Sequence, residues 1–412
     1  MMSVVRRRLA AILLGLSVGA APVIAADLPA PWVELAADGA LSIRAVVAPG
    51  APCPPVSADG AALVAVKRSA PDNNFPIEVC EARAAAATSR LTAGAAALPV
   101  LTAQVNRIVV FGDTGCRLEG RAIQDCSDPM AWPFATIATH AAAKHPDLVI
   151  HLGDYYYRVS ACPAGHAGCA GSPHGDKWPS WKADFFDPAA PLLAASPWVM
   201  VRGNHELCRR GGRGWFRLLD PHPVRPDCVD RTDPYWLSAG GLALLVFDSA
   251  DADDFLVPPD KLGAYAAQLA PLLATAPLHA WLLTHKPVWG LSSGPFAGLT
   301  VNLTEQAALR GHIPANLDLV LSGHLHDFLA YEFGPERPAQ LIVGDAGAAL
   351  YEVVNPTGAE IDGMPIRRGV ALDRFGYFVL ERAEAGWDGT LYGVNDKVLA
   401  RCKLKGREID CR

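Results

Sequence analysis

Short apolar runs recur along this chain, and several of them stop at a glycine followed by a polar residue. Arg107 to Phe111 runs into Gly112-Asp113, and Asp147 to Leu152 runs into Gly153-Asp154. Trp198 to Val201 leads to Gly203-Asn204-His205-Glu206. Leu242 to Phe247, His279 to Leu283 and Asp318 to Leu321 read as further buried strands, the last two leading into His285 and His324. Helical stretches over Pro133 to Lys144 and Trp178 to Asp187 separate some of them. Strands alternating with helices predict an α/β domain whose sheet is parallel at its centre. No fixed-period repeat is present.

The N-terminal part has another rhythm. Between residues 27 and 100, short β-rich runs begin at Trp32, Leu41, Ala62 and Phe75, with Pro and Gly between them. That pattern predicts a small β-rich domain and linker. Its Ala-rich end, Ala84 to Ala97, reads as a short helix or linker. Residues 101–412 form the expected catalytic domain. The segment 160–176 reads as an irregular loop folded over the site.

Composition sets the compartment. Arg6 to Arg8, an apolar run from Leu9 to Ala20 and the small residues around Ala25 and Ala26 have the three-part build of a signal peptide over residues 1–26. The other reading is a membrane anchor, but a spanning helix needs about 20 apolar residues. No later segment is apolar enough to span. The mature chain is therefore expected to be exported, periplasmic or secreted. Ten cysteines in an exported chain read as disulfides. Near-neighbour pairing (Cys53 with Cys80, Cys116 with Cys126, Cys162 with Cys169, Cys208 with Cys228, Cys402 with Cys411) is one reading, since spacing does not fix connectivity. Thiolate zinc sites are disfavoured by the lack of any C-x-x-C pair. The net charge of −6, without a Lys or Arg cluster beyond the leader, gives no nucleic-acid-binding patch.

Polar residues at the carboxyl ends of strands are where α/β sheets hold ligands. A lone Gly-Asp after a strand is an ordinary turn; five such ends in succession bring carboxylates, an amide and imidazoles to one spot. Hard oxygen donors mixed with imidazoles suit a pair of metal ions.

In order, the motifs are Gly112-Asp113-Thr114-Gly115, Gly153-Asp154 with Tyr157, Gly203-Asn204-His205-Glu206, Thr284-His285 and Gly323-His324-Leu325-His326. As a set they resemble the calcineurin-like metallophosphoesterases, and among them the purple acid phosphatases. The resemblance implies a four-layer sandwich of two mixed β-sheets flanked by helices. It implies one metal on Asp113, Asp154, Tyr157 and His326, and a second on Asp154, Asn204, His285 and His324. Most other branches carry D-x-H in the first motif, where this chain has Gly115; on the resemblance, Tyr157 supplies the missing donor. Three anionic oxygens favour Fe(III) at the Tyr157 site, and the second set suits Zn, Mn or Fe(II). The alternative for Tyr157 is an aromatic wall residue; Tyr155 and Tyr156 read as packing.

The implied activity is an acid-phosphatase-like hydrolysis of phosphate monoesters by metal-activated water. His205 and Asn204 would meet the substrate, and His205 would bind phosphate or protonate the leaving oxygen. The alternative for His205 is to hold the Asn204 loop; Glu206 is expected to orient a ring. The small mammalian-type enzymes have a further His shortly after the segment His285 to Trp289; this chain has none, which leaves His174 as a substitute. Asp345 is a further candidate near the site. A phosphodiesterase or nucleotide-cleaving enzyme on the same metals, and a non-catalytic binding protein on the same fold, remain open. The oligomeric state does not follow from the residues.

Overall fold

The computed structural model describes residues 28–292 and 297–412. The leader expected over residues 1–26 lies outside the described residues.

Two large sheets face each other. The first has eleven strands, with Arg107–Phe111, Leu148–His151 and Trp198–Met200 side by side and parallel at its centre. The second has seven, of which Leu242–Phe247, Ala280–Thr284, Leu317–Ser322 and Ala339–Val343 run parallel. Antiparallel strands complete both, so both sheets are mixed.

The two-residue side-chain period explains the layering. Ile108, Val110, Leu148 and Ile150 point inward and meet Leu244, Leu283, Leu319 and Leu321 of the second sheet in one core. Their neighbours Val109, Phe111 and Val149 point outward under the helices Phe134–Ala142 and Asp187–Leu193. Across the molecule, Leu245, Leu282 and Val320 pack under the helices Pro259–Leu273 and Leu303–Leu309. Strands buried on both faces must be apolar throughout, which is why these runs do not alternate with polar residues. The result is the expected four-layer sandwich.

The N-terminal β-rich region joins this architecture directly. Trp32–Leu35 pairs in parallel with Trp198–Met200, and Leu41–Val47, Glu78–Ala84 and Val66–Ser69 extend the same sheet outward. Buried Arg44 donates to the carbonyls of Leu218 and Asp220 at 2.7 and 2.6 Å. A separate four-stranded sheet contains Val56–Ala58 and Ala61–Leu63. It also takes up the Ala-rich segment. Leu91–Ala93 and Ala96–Leu98 form a hairpin there, turning at Gly94 with φ of +59°, instead of a helix. Alanine's helix preference is a few tenths of a kcal/mol per residue, too little to outweigh the pairing and the burial of Leu91.

All ten cysteines form the five near-neighbour disulfides. Among the described residues, no helix is long and apolar enough to cross a membrane.

Candidate metal centre

Each motif follows the carboxyl end of a parallel strand, so the polar residues meet along one edge of the sandwich. Getting them there bends the backbone. Asp113, Asp154 and His324 all have positive φ, at 57°, 60° and 71°. Non-glycine residues visit that region seldom, and a cluster of them marks a site where surrounding structure imposes the conformation. Gly153, at φ of +97°, has no room for a Cβ, which would lie 2.5 Å from His285 Nδ1.

Glu206 holds these loops together. Its carboxylate accepts the backbone N–H groups of Asp154 (3.0 Å), Tyr155 (2.9 Å), Tyr156 (3.2 Å) and Gly203 (3.0 Å). The expectation that it orients a ring is therefore corrected: backbone carbonyls orient two of the rings, and Glu206 ties two loops.

Around Tyr157 three side chains converge. Its hydroxyl oxygen lies 2.9 Å from Asp113 Oδ1, 2.8 Å from Asp154 Oδ2 and 2.8 Å from His326 Nε2. Tyr157 is fully buried. Burial, then the charges of Asp113 and Asp154, push its phenol well above the usual range. Burial and the neighbouring Asp154 carboxylate likewise push Asp113 up. Burial also acts on Asp154, but His285 and His205 outweigh it and hold that carboxyl well below the usual range. Tyr155 and Tyr156 pack: Tyr155 stacks on His151 at 3.8 Å and Tyr156 on Trp181 at 5.8 Å.

A second group lies beside the first. Asp154, His285 and His324 each offer one ligand atom, all within 4.8 Å of one another. His285 Nε2 is 3.0 Å from Asn204 Oδ1 and 3.3 Å from Asp154 Oδ2.

Proton placement says what these groups can hold. His285 Nδ1 is 2.7 Å from the Leu152 carbonyl, and His326 Nδ1 is 2.9 Å from that of Ala349. A carbonyl only accepts, so each Nδ1 carries the proton and each Nε2 keeps a lone pair. A neutral His285 then turns its Nε2 lone pair on two acceptor oxygens, Asn204 Oδ1 and Asp154 Oδ2. Such lone pairs repel unless a cation sits between them. The donor set fits metal ions, with each imidazole fixed by a hydrogen bond to its other nitrogen.

His205 borders the cluster. Its backbone N–H donates to Asp154 Oδ1 at 2.8 Å, and its ring lies 3.8 Å from the Tyr157 ring. Its Nε2 is 3.9 Å from Glu119 and 4.0 Å from Asp154, and its buried Nδ1 has no partner among the described residues. Burial pushes the imidazole down to about 3.

Among the described residues, two further candidates make no hydrogen bond to these donors. His174 is exposed on the 160–176 loop. That loop is closed by Cys162–Cys169 and meets the Ser127 turn through Gly168 O at 3.0 Å. Asp345 is wholly buried, its carboxylate oxygens without hydrogen-bond partners among the described residues, and burial pushes it up to about 8.

The structure adds residues that the motifs did not indicate. Asp254 lies 3.3 Å from His324 Nε2 and accepts from Lys286 Nζ at 3.0 Å, so His324 presents Nδ1 to the cluster. The acidic stretch Asp251 to Asp254, shortly after the strand Leu242–Phe247, was its only trace in the sequence. Asp184 sits in a π-helical turn, Lys182–Phe186, and accepts the N–H groups of Tyr157, Arg158 and Cys116 at 2.8, 3.1 and 3.1 Å. Such turns within helices often occur at functional sites.

The calcineurin-like phosphoesterase family model matches residues 106–328, more than half of the chain. No curated protein matches the sequence. Among solved structures, the chain is similar to the purple acid phosphatase PPD1 of yellow lupin (Lupinus luteus), at 13% identity and a TM-score of 0.58, covering 89% of this chain and 72% of that one. It is also similar to PhoD, at 13% identity and a TM-score of 0.55, covering 92% and 91%. At these identities the likeness is one of fold. The family match and the two-sheet sandwich together place the chain: it belongs to the calcineurin-like phosphoesterases, metal-dependent hydrolases of phosphate esters with a dinuclear metal site.

Proposed function

We propose that this chain is an exported, acid-phosphatase-like enzyme that hydrolyses phosphate monoesters at two metal ions. The observation that carries the reading is the convergence of oxygen and imidazole donor atoms from Asp113, Asp154, Asn204, His285 and His326 around Tyr157 and His324.

Asp113, Asp154, Tyr157 and His326 would hold one metal. Asp154, Asn204, His285 and His324 would hold the other. Tyr157 becomes a phenolate only beside a cation of high charge, which supports Fe(III) at its site; Zn, Mn or Fe(II) suits the second. Two ions there supply Lewis acidity toward the phosphoryl group and a nucleophile from water.

The chain's own residues do the remaining work. Glu206 and Asp184 fix the loops that carry Asp154 and Tyr157. Leu152, Ala349 and Asp254 fix the rings. Asn204 and His205 meet the substrate, and His205 has an unpartnered nitrogen with which to bind a phosphate oxygen or serve the leaving oxygen. The disulfides support export, since such bonds persist in oxidising compartments. In this reading, residues 1–26 are the leader, 27–100 the β-rich N-terminal part and 101–412 the catalytic domain.

The test is turnover of p-nitrophenyl phosphate against bis-p-nitrophenyl phosphate by the purified protein, with elemental analysis. Preferred cleavage of the monoester with two metals per chain is expected. Preference for the diester would make the chain a phosphodiesterase on the same site, and metal binding without turnover of either would make it a binding protein.

A further inference from the structure

A lip of chain from Cys116 to Cys126 borders the metal centre, closed by the disulfide between its ends. It carries Arg117, whose Nη1 is hydrogen-bonded to the Tyr351 hydroxyl. The Tyr351 ring stacks on the His326 ring at 5.3 Å with 23° between planes. His326 Nε2 in turn is 2.8 Å from Tyr157 Oη. Arg117 thus reaches the Tyr157 cluster through two contacts. Both Arg117 and Tyr351 are partly exposed where Tyr157 is fully buried, which puts them on the solvent side of the cluster.

The lip is held in place. Arg117 N donates to Gln124 Oε1 at 3.0 Å, and Gln124 N returns a bond to Arg117 O at 2.8 Å. Gln124 Nε2 donates to Gly347 O at 2.8 Å, tying the lip to the segment that bears Tyr351.

Charge pairing sets Arg117 apart. Arg210 is paired with Glu119 at 2.9 Å, Arg158 with Asp184 at 2.5 Å and Arg202 with Asp248 at 3.2 Å. Among the described residues no carboxylate pairs with Arg117, and its buried Nε has no hydrogen-bond partner. A partly buried guanidinium beside the cluster, with a donor left unused and no carboxylate bonded to it, is free to bond a further acceptor.

We propose that Arg117, positioned by Tyr351, binds a non-bridging oxygen of the substrate phosphate and so selects monoesters over diesters. This rests on the monoesterase reading above. A monoester dianion has three non-bridging oxygens, so one remains for a protein donor when the two metals engage the others. A diester has two such oxygens and a single charge, and offers Arg117 only an ester oxygen. The planar fork of a guanidinium gains most from an anionic oxygen.

The test uses the metal-loaded protein and its Arg117→Met, Arg117→Lys and Tyr351→Phe variants. Metal content and thermal midpoint should match the wild type. Calorimetric titration with inorganic phosphate should show Arg117→Met binding about 10- to 100-fold more weakly, the usual worth of a hydrogen bond to a charged group. kcat/KM should fall by about the same factor on p-nitrophenyl phosphate and by less than about threefold on bis-p-nitrophenyl phosphate. Arg117→Lys should recover part of the loss. Tyr351→Phe should raise KM for the monoester with kcat nearly kept. Unaltered phosphate affinity in Arg117→Met, or equal losses on the two esters, would overturn the inference. A wild type inactive on monoesters would instead defeat the functional reading, and the phosphate titration would still judge Arg117.

Discussion

Gly115 lies so close to the Tyr157 backbone that a Cβ at position 115 would sit 2.8 Å from Tyr157 N, 2.9 Å from Tyr155 O and 3.0 Å from Asp184 Oδ2. A side chain at 115 and the Tyr157 loop cannot share that space. The His of a D-x-H motif and a tyrosine donor are therefore alternatives at one location. Gly115→Ala should push the loop away and cost about 1–3 kcal/mol, the usual price of overpacking. Tyr157 Oη would move off Asp113 and Asp154. Urea denaturation and elemental analysis should show lower stability and less than a full metal complement; a variant as stable as the wild type with both metals would disprove the steric argument.

Tyr157→Phe makes a gentler change at the same place. It removes one oxygen and keeps the ring that packs on His205 at 3.8 Å. Fold stability should change little, while affinity at the first metal falls. If that ion is Fe(III) on a phenolate, the wild type should show a visible charge-transfer band that the variant lacks. A colourless, fully metallated wild type would rule out the Fe(III)-phenolate assignment.

Asp254 is the main support of His324, from 70 residues away in the chain. Without it, no other hydrogen bond among the described residues fixes the ring with Nδ1 toward the cluster. Asp254→Asn should weaken the second metal about 10- to 100-fold, the usual effect of losing such a partner. Competition with a chelator on the folded protein measures this. Equal metal retention by variant and wild type would show that Asp254 serves only Lys286.

Much of this centre could be read from the residues because its donors follow strand ends directly. An apolar run, a glycine and a polar residue form a local pattern, so Asp113, Asp154, Asn204 and His324 could be found by inspection, and His285 follows its strand directly. Supports made across the fold have no local pattern. Asp184 sits in a helical stretch among aromatics, and only the folded chain brings it to Tyr157. Arg117 and Tyr351 are 234 residues apart. Strand order was equally hidden: Trp32 to Leu35 reads as a short strand, but only the sheet shows it beside Trp198 to Met200. The Ala-rich hairpin misled because its composition favours a helix, while the strand that it joins, Val56–Ala58, lies elsewhere in the sequence.

Asp345 gives a pH test on a group outside the ligand set. Burial, aided by the nearby Asp327, raises its pKa from 3.8 to about 8. Between those values the folded chain keeps a proton that the unfolded chain has released. Its contribution is thus complete below pH 4 and is lost as pH rises toward 8, on the order of 1 kcal/mol per pH unit. Asp345→Asn cannot titrate and should flatten that slope. Urea midpoints for the two proteins at pH 5 and pH 7.5 should diverge, with the variant gaining relative stability at the higher pH. Parallel pH profiles would mean that Asp345 is already ionised in the fold.

His205 and its neighbour Asn204 should separate cleanly by mutation. Asn204 Oδ1 faces His285 Nε2 at 3.0 Å, so Asn204→Ala removes an oxygen that a cation would use. His324→Ala removes the ring that Asp254 holds. Each should lose the second metal and most activity. His205 touches the cluster differently. Its firm contact, the bond to Asp154 Oδ1, comes from the backbone N–H, and alanine keeps that bond. Its ring nitrogens are unpartnered or 3.9 Å and more from the nearest carboxylate, so they hold none of the clustered donors in place. His205→Ala should therefore keep both metals and slow turnover by about 10² to 10⁴, as for loss of a proton-transfer or phosphate-binding group. Elemental analysis and single-turnover kinetics on the three variants decide the matter. If His205→Ala empties a metal position, the imidazole is a ligand and its substrate role must be withdrawn.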